Sequence, residues 1–211
     1  MQVHAVIPLK RAMRGKTRLA RALGDAERTQ LVRVMARHVV QAVAAAPEVA
    51  RVHVLTSDAS LAPDYCAQIA DREAELNASL AYAARVLRAQ GAQALLIVHG
   101  DLPFLTTEDV RALVLASAPH AIVVAPDVAE AGTNALAYCL SNDFCTRFGP
   151  GSLAAHRLAA EVAGLEFHIV QRRGLAHDID EPAQLLELLE RGGPSYAFLR
   201  SAVDGALNFP K

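Results

Sequence analysis

Tryptophan is absent, and aromatic residues make up only 5% of the 211 residues. A platform of aromatic rings for stacking single-stranded bases is therefore excluded. Cysteine is nearly as scarce. Cys66, Cys139 and Cys145 include no Cys-x-x-Cys pair, which excludes a zinc knuckle and a disulfide framework. Three free thiols suit a reducing cytoplasm, the compartment expected for this chain. Charge of one sign is also missing: 21 Lys and Arg stand against 22 Asp and Glu, a net charge of -1. A dedicated nucleic-acid or membrane-surface protein would be strongly basic, so neither partner is expected. No apolar run approaches the ~18 residues of a membrane span. No basic stretch precedes an apolar one at the N-terminus, so no signal peptide is expected. Gly-x-Ser-x-Gly, His-Glu-x-x-His and Gly-x-Gly-x-x-Gly motifs are all lacking, as are internal repeats and low-complexity tracts.

What is present is ordinary globular material, 53% hydrophobic and 20% charged. At this length a chain buries about 70% of its unfolded surface and needs no covalent staple. Short apolar runs alternate with helical patterns. Val3–Leu9, Val49–Thr56, Ala94–His99, Ala121–Ala125, Ala135–Leu140 and Glu166–Val170 are the expected strands. The continuous apolar runs among them are those of strands covered on both faces. Asp25–Ala46, Leu76–Gln90, Thr107–Ser117, Ser152–Val162 and Glu181–Glu190 carry helical spacing. The alternation predicts an α/β fold, a mainly parallel sheet flanked by helices. Residues 1–211 read as a single domain. Residues 193–211, after Gly192-Gly193-Pro194, form a C-terminal extension packed on the domain or on a partner.

Open parallel sheets bind ligands beyond the carboxyl ends of their strands. Six cations without an acid follow the first strand: Lys10, Arg11, Arg14, Lys16, Arg18 and Arg21. They suit a polyphosphate, or equally a solvated face ahead of a helix. Gly15-Lys16-Thr17 is not a Walker A loop, because Lys10 stands where that loop needs its first glycine. Asp101 directly follows the strand at Ala94–His99. Asp178 and Asp180 share a side if their segment is extended. Three such carboxylates could hold Mg²⁺ together with phosphate oxygens. Each also has a structural alternative: Asp180 as N-cap of a Glu181-Pro182 helix, Asp101 as a turn cap. Phe148-Gly149-Pro150-Gly151-Ser152 ahead of a helix is either an anion seat or a turn with a Ser N-cap. His99 and His177 flank the acidic positions and read as structural, and Cys139 and Cys145 as core residues.

Taken in order, Ile7-Pro8-Leu9-Lys10, Lys16-Thr17-Arg18-Leu19, Leu76-Asn77-Ala78-Ser79-Leu80, Gly100-Asp101-Leu102-Pro103, Gly132-Thr133-Asn134-Ala135-Leu136, Phe148-Gly149-Pro150-Gly151-Ser152 and Asp178-Ile179-Asp180-Glu181-Pro182 form a recognisable set. The series resembles the 2-phospho-L-lactate or phosphoenolpyruvate guanylyltransferases of coenzyme F-420 biosynthesis. The likeness runs from residue 6 to about residue 190. It implies a single-domain nucleotidyltransferase fold similar to glycosyltransferase-A enzymes, opening on Pro-x-Lys rather than a Gly-rich signature. The implied reaction moves GMP from GTP to 2-phospho-L-lactate, phosphoenolpyruvate or 3-phospho-D-glycerate and releases pyrophosphate. By the resemblance, Asp101, Asp178 and Asp180 would bind Mg²⁺, and Thr133, Gly149 and Ser152 would hold the phospho-acid. Lys10, Lys16 and Arg18 would face phosphates and act in catalysis with Asp101, and Asn77 would lie near the nucleotide with Lys10 and Lys16. The charged stretch Asp71–Glu75 departs from the small-residue approach expected before Leu76. Alternatives are a nucleotidyltransferase for molybdopterin or a sugar phosphate, and a non-catalytic nucleotide-binding subunit. A homodimer through the C-terminal extension completes the expectations.

Overall fold

The structure is a computed structural model, and it describes residues 1–9, 17–73, 75–200 and 203. Seven strands form one sheet: β1 (Val3–Pro8), β2 (Val49–Thr56), β3 (Ala67–Ala70), β4 (Ala94–Val98), β5 (Ala121–Pro126), β6 (Thr133–Cys139) and β7 (Glu166–Ile169). Their order is β3-β2-β1-β4-β6-β5-β7. All neighbours are parallel except β6, which runs antiparallel to both β4 and β5. The helices are α1 (Asp25–Ala44), α2 (Leu76–Ala89), α3 (Thr107–Leu115), α4 (Ser152–Val162), α5 (Arg173–Ala176) and α6 (Gln184–Arg191), with short 3-10 helices at Thr17–Arg21, Ala59–Leu61 and Pro194–Leu199.

Every residue of β4 and β5 is buried, as their uninterrupted apolar sequence requires of strands covered on both faces. On one face Ala5, Ile7, Val54 and Leu96 pack against Val39 and Val43 of α1 and Val110 and Leu113 of α3. On the other, Val6, Leu55, Leu95 and Ile97 meet Leu80, Ala83 and Leu87 of α2 and Leu153 and Ala160 of α4. A third cluster gathers Leu19, Leu31, Met35, Ile179, Leu185, Leu188, Tyr196 and Leu199. The Pro194–Leu199 helix thus belongs to the core of its own chain.

Local chemistry fixes the helix starts. In α1 the Glu27 carboxylate accepts the Gly24 N–H at 2.7 Å, and Asp25 pairs with Arg28. In α3 the Thr106 hydroxyl accepts the Asp109 N–H, and the Asp109 carboxylate accepts the Thr106 N–H at 3.0 Å. Two boundaries, one strand and one cysteine differ from expectation. β6 begins at Thr133, so Thr133 and Asn134 are strand residues rather than loop residues. β3 carries one buried side chain, Ile69, and gives no periodic signal. α6 begins at Gln184 rather than Glu181. Cys139 is buried as expected, whereas Cys145 is exposed.

Candidate active site

Strand direction puts one end of the sheet to use. β6 is antiparallel to β4, so its first residues lie at the carboxyl end of β4. The His99 N–H donates to the Asn134 carbonyl at 2.9 Å, joining the start of the Gly100-Asp101 loop to β6. The Asn134 side chain, buried, donates in turn to the carbonyls of Leu175 and Ala176, both at 3.0 Å. These carbonyls immediately precede the Asp178 segment. One asparagine therefore connects the two acidic loops.

A second tie lies beside it. The Asp109 carboxylate, buried, accepts from Arg172 at 3.0 Å and from the Thr106 hydroxyl at 2.7 Å. A Cβ on Gly174 would overlap the Asp109 carboxylate and the Phe104 carbonyl, so only glycine allows α5 this close to the loop after Asp101. Beyond α5, the Gln184 carboxamide oxygen accepts the N–H groups of Asp180 and Glu181, each at 2.7 Å, and its nitrogen donates to the Asp178 carbonyl at 2.8 Å. Ile179 points into the third core. Its flanking residues Asp178 and Asp180 are thereby held as a pair.

The outcome is a cluster of Asp101, Asp178 and Asp180, one carboxylate oxygen of each lying within 4.8 Å of the others. Asp101 and the Asp178–Asp180 pair, 77 residues or more apart in sequence, have converged, although of the two only Asp101 closely follows a strand. The structural alternative for Asp180 does not hold, because the N-cap of α6 is Ala183. Three hard oxygen donors are the set that suits Mg²⁺. Arg18 stands at the margin of the same loop, its guanidinium 2.9 Å from Glu181 and largely exposed. Lys10 and Lys16 lie outside the described residues.

The Phe148–Ser152 segment approaches the same sheet end from the other side. The Phe148 ring lies 5.0 Å from that of His99, between centroids. Gly149 has φ +137° and Gly151 φ +70°, backbone conformations that L side chains rarely adopt. The N-cap of α4 is Gly151, not Ser152, which is the first helical residue and is buried. The Ser152 N–H donates to the Gly149 carbonyl and the Leu153 N–H to the Ala131 carbonyl. Two N–H groups at the helix start are therefore engaged within the protein rather than offered to an anion.

Two further expected residues have acquired protein partners. Asn77 spends both ends of its amide on Phe148, accepting its N–H at 2.8 Å and donating to its carbonyl at 2.9 Å. Its side chain clamps the loop at Phe148. Thr133 is buried, and its hydroxyl lies 3.1 Å from His156 Nδ1. His156 Nε2 accepts the Arg147 N–H at 2.8 Å. Burial, then nearby His99 and Arg147, lower the His156 pKa to about 4. Sequence reasoning passed over His156, Asn134, Asp109, Arg172 and Gln184. Only Asn134 lay inside a quoted motif, and the others carry no spacing that marks them. His99 and His177 are packed against aromatics: His177 meets the Phe104 ring edge-on at 6.3 Å.

The comparisons agree with this geometry. A family profile described as "Guanylyl transferase CofC like" matches residues 3–203. A phosphoenolpyruvate guanylyltransferase of Chloroflexus aurantiacus is 37% identical over 186 residues, covering 85% of this chain and 91% of the relative. The protein of the same name from Sphaerobacter thermophilus is 37% identical over 196 residues, covering 89% and 93%. Among solved structures, a Desulfovibrio desulfuricans G20 protein assigned to the nucleotide-diphospho-sugar transferases superposes with a TM-score of 0.78 at 18% identity, over 98% of this chain and 97% of that one. A nucleotidyl transferase from Methanothermobacter gives 0.64 at 19% identity, over 95% and 99%. The structural likenesses establish the nucleotidyltransferase fold, and the matches across nearly the whole sequence establish the lineage: the chain is a nucleotidyltransferase enzyme that belongs to the CofC-like guanylyl transferase family.

Proposed function

We propose that this enzyme transfers GMP from GTP to phosphoenolpyruvate, releasing pyrophosphate, as a cytoplasmic step toward coenzyme F-420. The observation that carries the reading is the convergence of Asp101, Asp178 and Asp180 at the sheet end that also holds the Phe148–Ser152 loop. The relatives named for phosphoenolpyruvate favour that acceptor over phospholactate or 3-phosphoglycerate.

The acceptor phosphate is already anionic, so no general base is needed. The protein has to align it with the GTP α-phosphate and offset the repulsion between two anions. Asp101, Asp178 and Asp180 would hold Mg²⁺, which when bound supplies positive charge to phosphate oxygens. Arg18 would exchange its exposed partner Glu181 for a phosphate; an exposed pair of this kind is worth about 0–1 kcal/mol and yields easily. Lys10 and Lys16 would join it. The Thr133 side and the Gly149 loop would seat the phospho-acid, with Asn77 keeping the loop in place.

Pyrophosphate release from GTP with each acceptor tests the reading. Phosphoenolpyruvate is expected to give the highest kcat/KM. Release with none of the three phospho-acids, but with a sugar phosphate or molybdopterin, would sink it.

A further inference from the structure

The buried face between β6 and α4 carries a hydrogen-bond chain that none of the expected site roles uses. His156 is fully buried and flanked by two parts of the proposed acceptor seat. Its Nε2 receives the Arg147 backbone N–H at 2.8 Å, and its Nδ1 lies 3.1 Å from the Thr133 hydroxyl oxygen. Its ring also meets the Phe148 ring edge-on, with centroids 4.8 Å apart.

A backbone amide can only donate, so Nε2 has to be the unprotonated nitrogen. The neutral ring has one N–H, which is therefore on Nδ1 and donates to Thr133 Oγ1. Burial keeps the ring neutral across the physiological range. Thr133 is then an acceptor toward His156, and its own hydrogen has to point elsewhere. No other hydrogen bond to that hydroxyl is made among the described residues. The opposite tautomer would set two N–H groups against each other at Arg147.

We infer that His156 is a positioning residue, one that turns the Thr133 hydroxyl hydrogen away from itself to donate to an anionic oxygen of the phospho-acid while fixing the Arg147–Phe148 backbone on the other side of the seat. The inference rests on the proposed guanylyl transfer to a phospho-acid. It adds a preference: with one lone pair taken by His156, the free hydrogen of Thr133 favours an acceptor that presents an anionic oxygen to it. One ring sets both walls, since Phe148 is held by the Asn77 amide and by its contact with His156.

Two measurements test it. In two-bond ¹H–¹⁵N spectra of the histidine-labelled enzyme, His156 should show the Nδ1–H tautomer, unchanged between pH 8 and pH 6. In pyrophosphate-release kinetics, Thr133→Val and His156→Gln should each raise the acceptor KM about 10-fold or more, the scale of one hydrogen bond to a charged group. The KM for GTP should stay within about two-fold. Gln places an amide oxygen where Nε2 stood, so Arg147 keeps its acceptor while Thr133 loses its donor. Thr133→Ser should keep a near wild-type acceptor KM, and the double variant should be no worse than Thr133→Val, as for residues acting in one chain.

An Nε2–H tautomer, equal loss of both substrates, or additive effects in the double variant would overturn the inference. Should His156→Gln fail to fold, the tautomer and the Thr133→Val against Thr133→Ser contrast still decide. If the wild-type enzyme released no pyrophosphate with any phospho-acid, the functional reading would fall and this inference with it. Normal wild-type turnover without the KM split would remove the inference alone.

Discussion

Single residues divide between those whose chemistry shows in the sequence and those defined only by a distant partner. Asp101, Asp178 and Asp180 belong to the first group: Asp101 because an acid at the end of a buried strand has no use in a core, Asp178 and Asp180 because they stand two residues apart in one short segment. Asp101→Asn keeps volume and removes charge. We expect pyrophosphate release to fall by a factor of about 100 or more, the scale of lost electrostatic stabilisation in a transition state, with the melting temperature unchanged within a few degrees. Retained turnover at ordinary Mg²⁺ would refute the metal role. His4 and His53 belong to the second group. They lie 49 residues apart, yet their ring nitrogens approach to 3.1 Å on paired strands. Burial, then His4 and Arg51, lower the His53 pKa to about 4. An unfolded histidine binds its proton near pH 6.5. As pH falls below that value the unfolded chain takes up a proton that the folded one refuses, so stability is lost between about pH 6.5 and 4. His156 acts in the same direction. Each contributes on the order of a few kcal/mol. Urea unfolding at pH 7.5 and at pH 5 should show this loss, and His53→Gln should flatten the pH dependence. An unchanged slope in that variant would remove His53 as a cause.

Elements were legible wherever periodicity or burial ran long enough. The boundaries of β2 and α4 match their sequence patterns residue for residue, because a strand or helix of that length imposes its own period. β3 was not legible, since four residues with one buried side chain show no alternation. Nor was the direction of β6. Composition records that a strand is covered, not which way it runs. That direction brings Thr133 and Asn134 to the active edge. The start of α6 was misplaced for a similar reason: Gln184 reaches back to satisfy Asp180 and Glu181, so the acidic turn stays out of the helix. What binds these loops is Asn134. Asn134→Ala removes two bonds to the carbonyls of Leu175 and Ala176 and leaves one buried and one half-buried acceptor short of a donor. The expected cost is about 1–3 kcal/mol in stability. With the Asp178 segment loosened, the Mg²⁺ concentration at half-maximal rate should rise several-fold. A variant that unfolds earlier but needs no more Mg²⁺ would show that Asn134 only holds β6 to α5.

Across the whole molecule, the three cores have unequal bearing on the site. The two clusters on the sheet faces set the strands; the first also takes in Leu102 beside Asp101 and Leu175 ahead of Asp178, whereas the second includes no residue of the acidic loops. The third joins Leu19 beside Arg18, Ile179 between the two late aspartates, and Tyr196 and Leu199 of the C-terminal segment. The segment after Gly193 is therefore coupled to the carboxylates through packing, although it contributes no ligand among the described residues. A comparison of two equal losses makes this measurable. Leu199 and Leu87 are both fully buried, one in the third core and one on α2 in the second. Replacing either with alanine should cost about 2–5 kcal/mol. Well below both melting temperatures, only Leu199→Ala should raise the Mg²⁺ requirement, because the space it leaves lets Ile179 move and shifts Asp178 and Asp180 relative to Asp101. Leu87→Ala should melt earlier with an unchanged Mg²⁺ titration. Equal shifts in both variants, or none in Leu199→Ala despite its lost stability, would show that the turn formed by Gln184 holds the aspartates without help from the core beneath them.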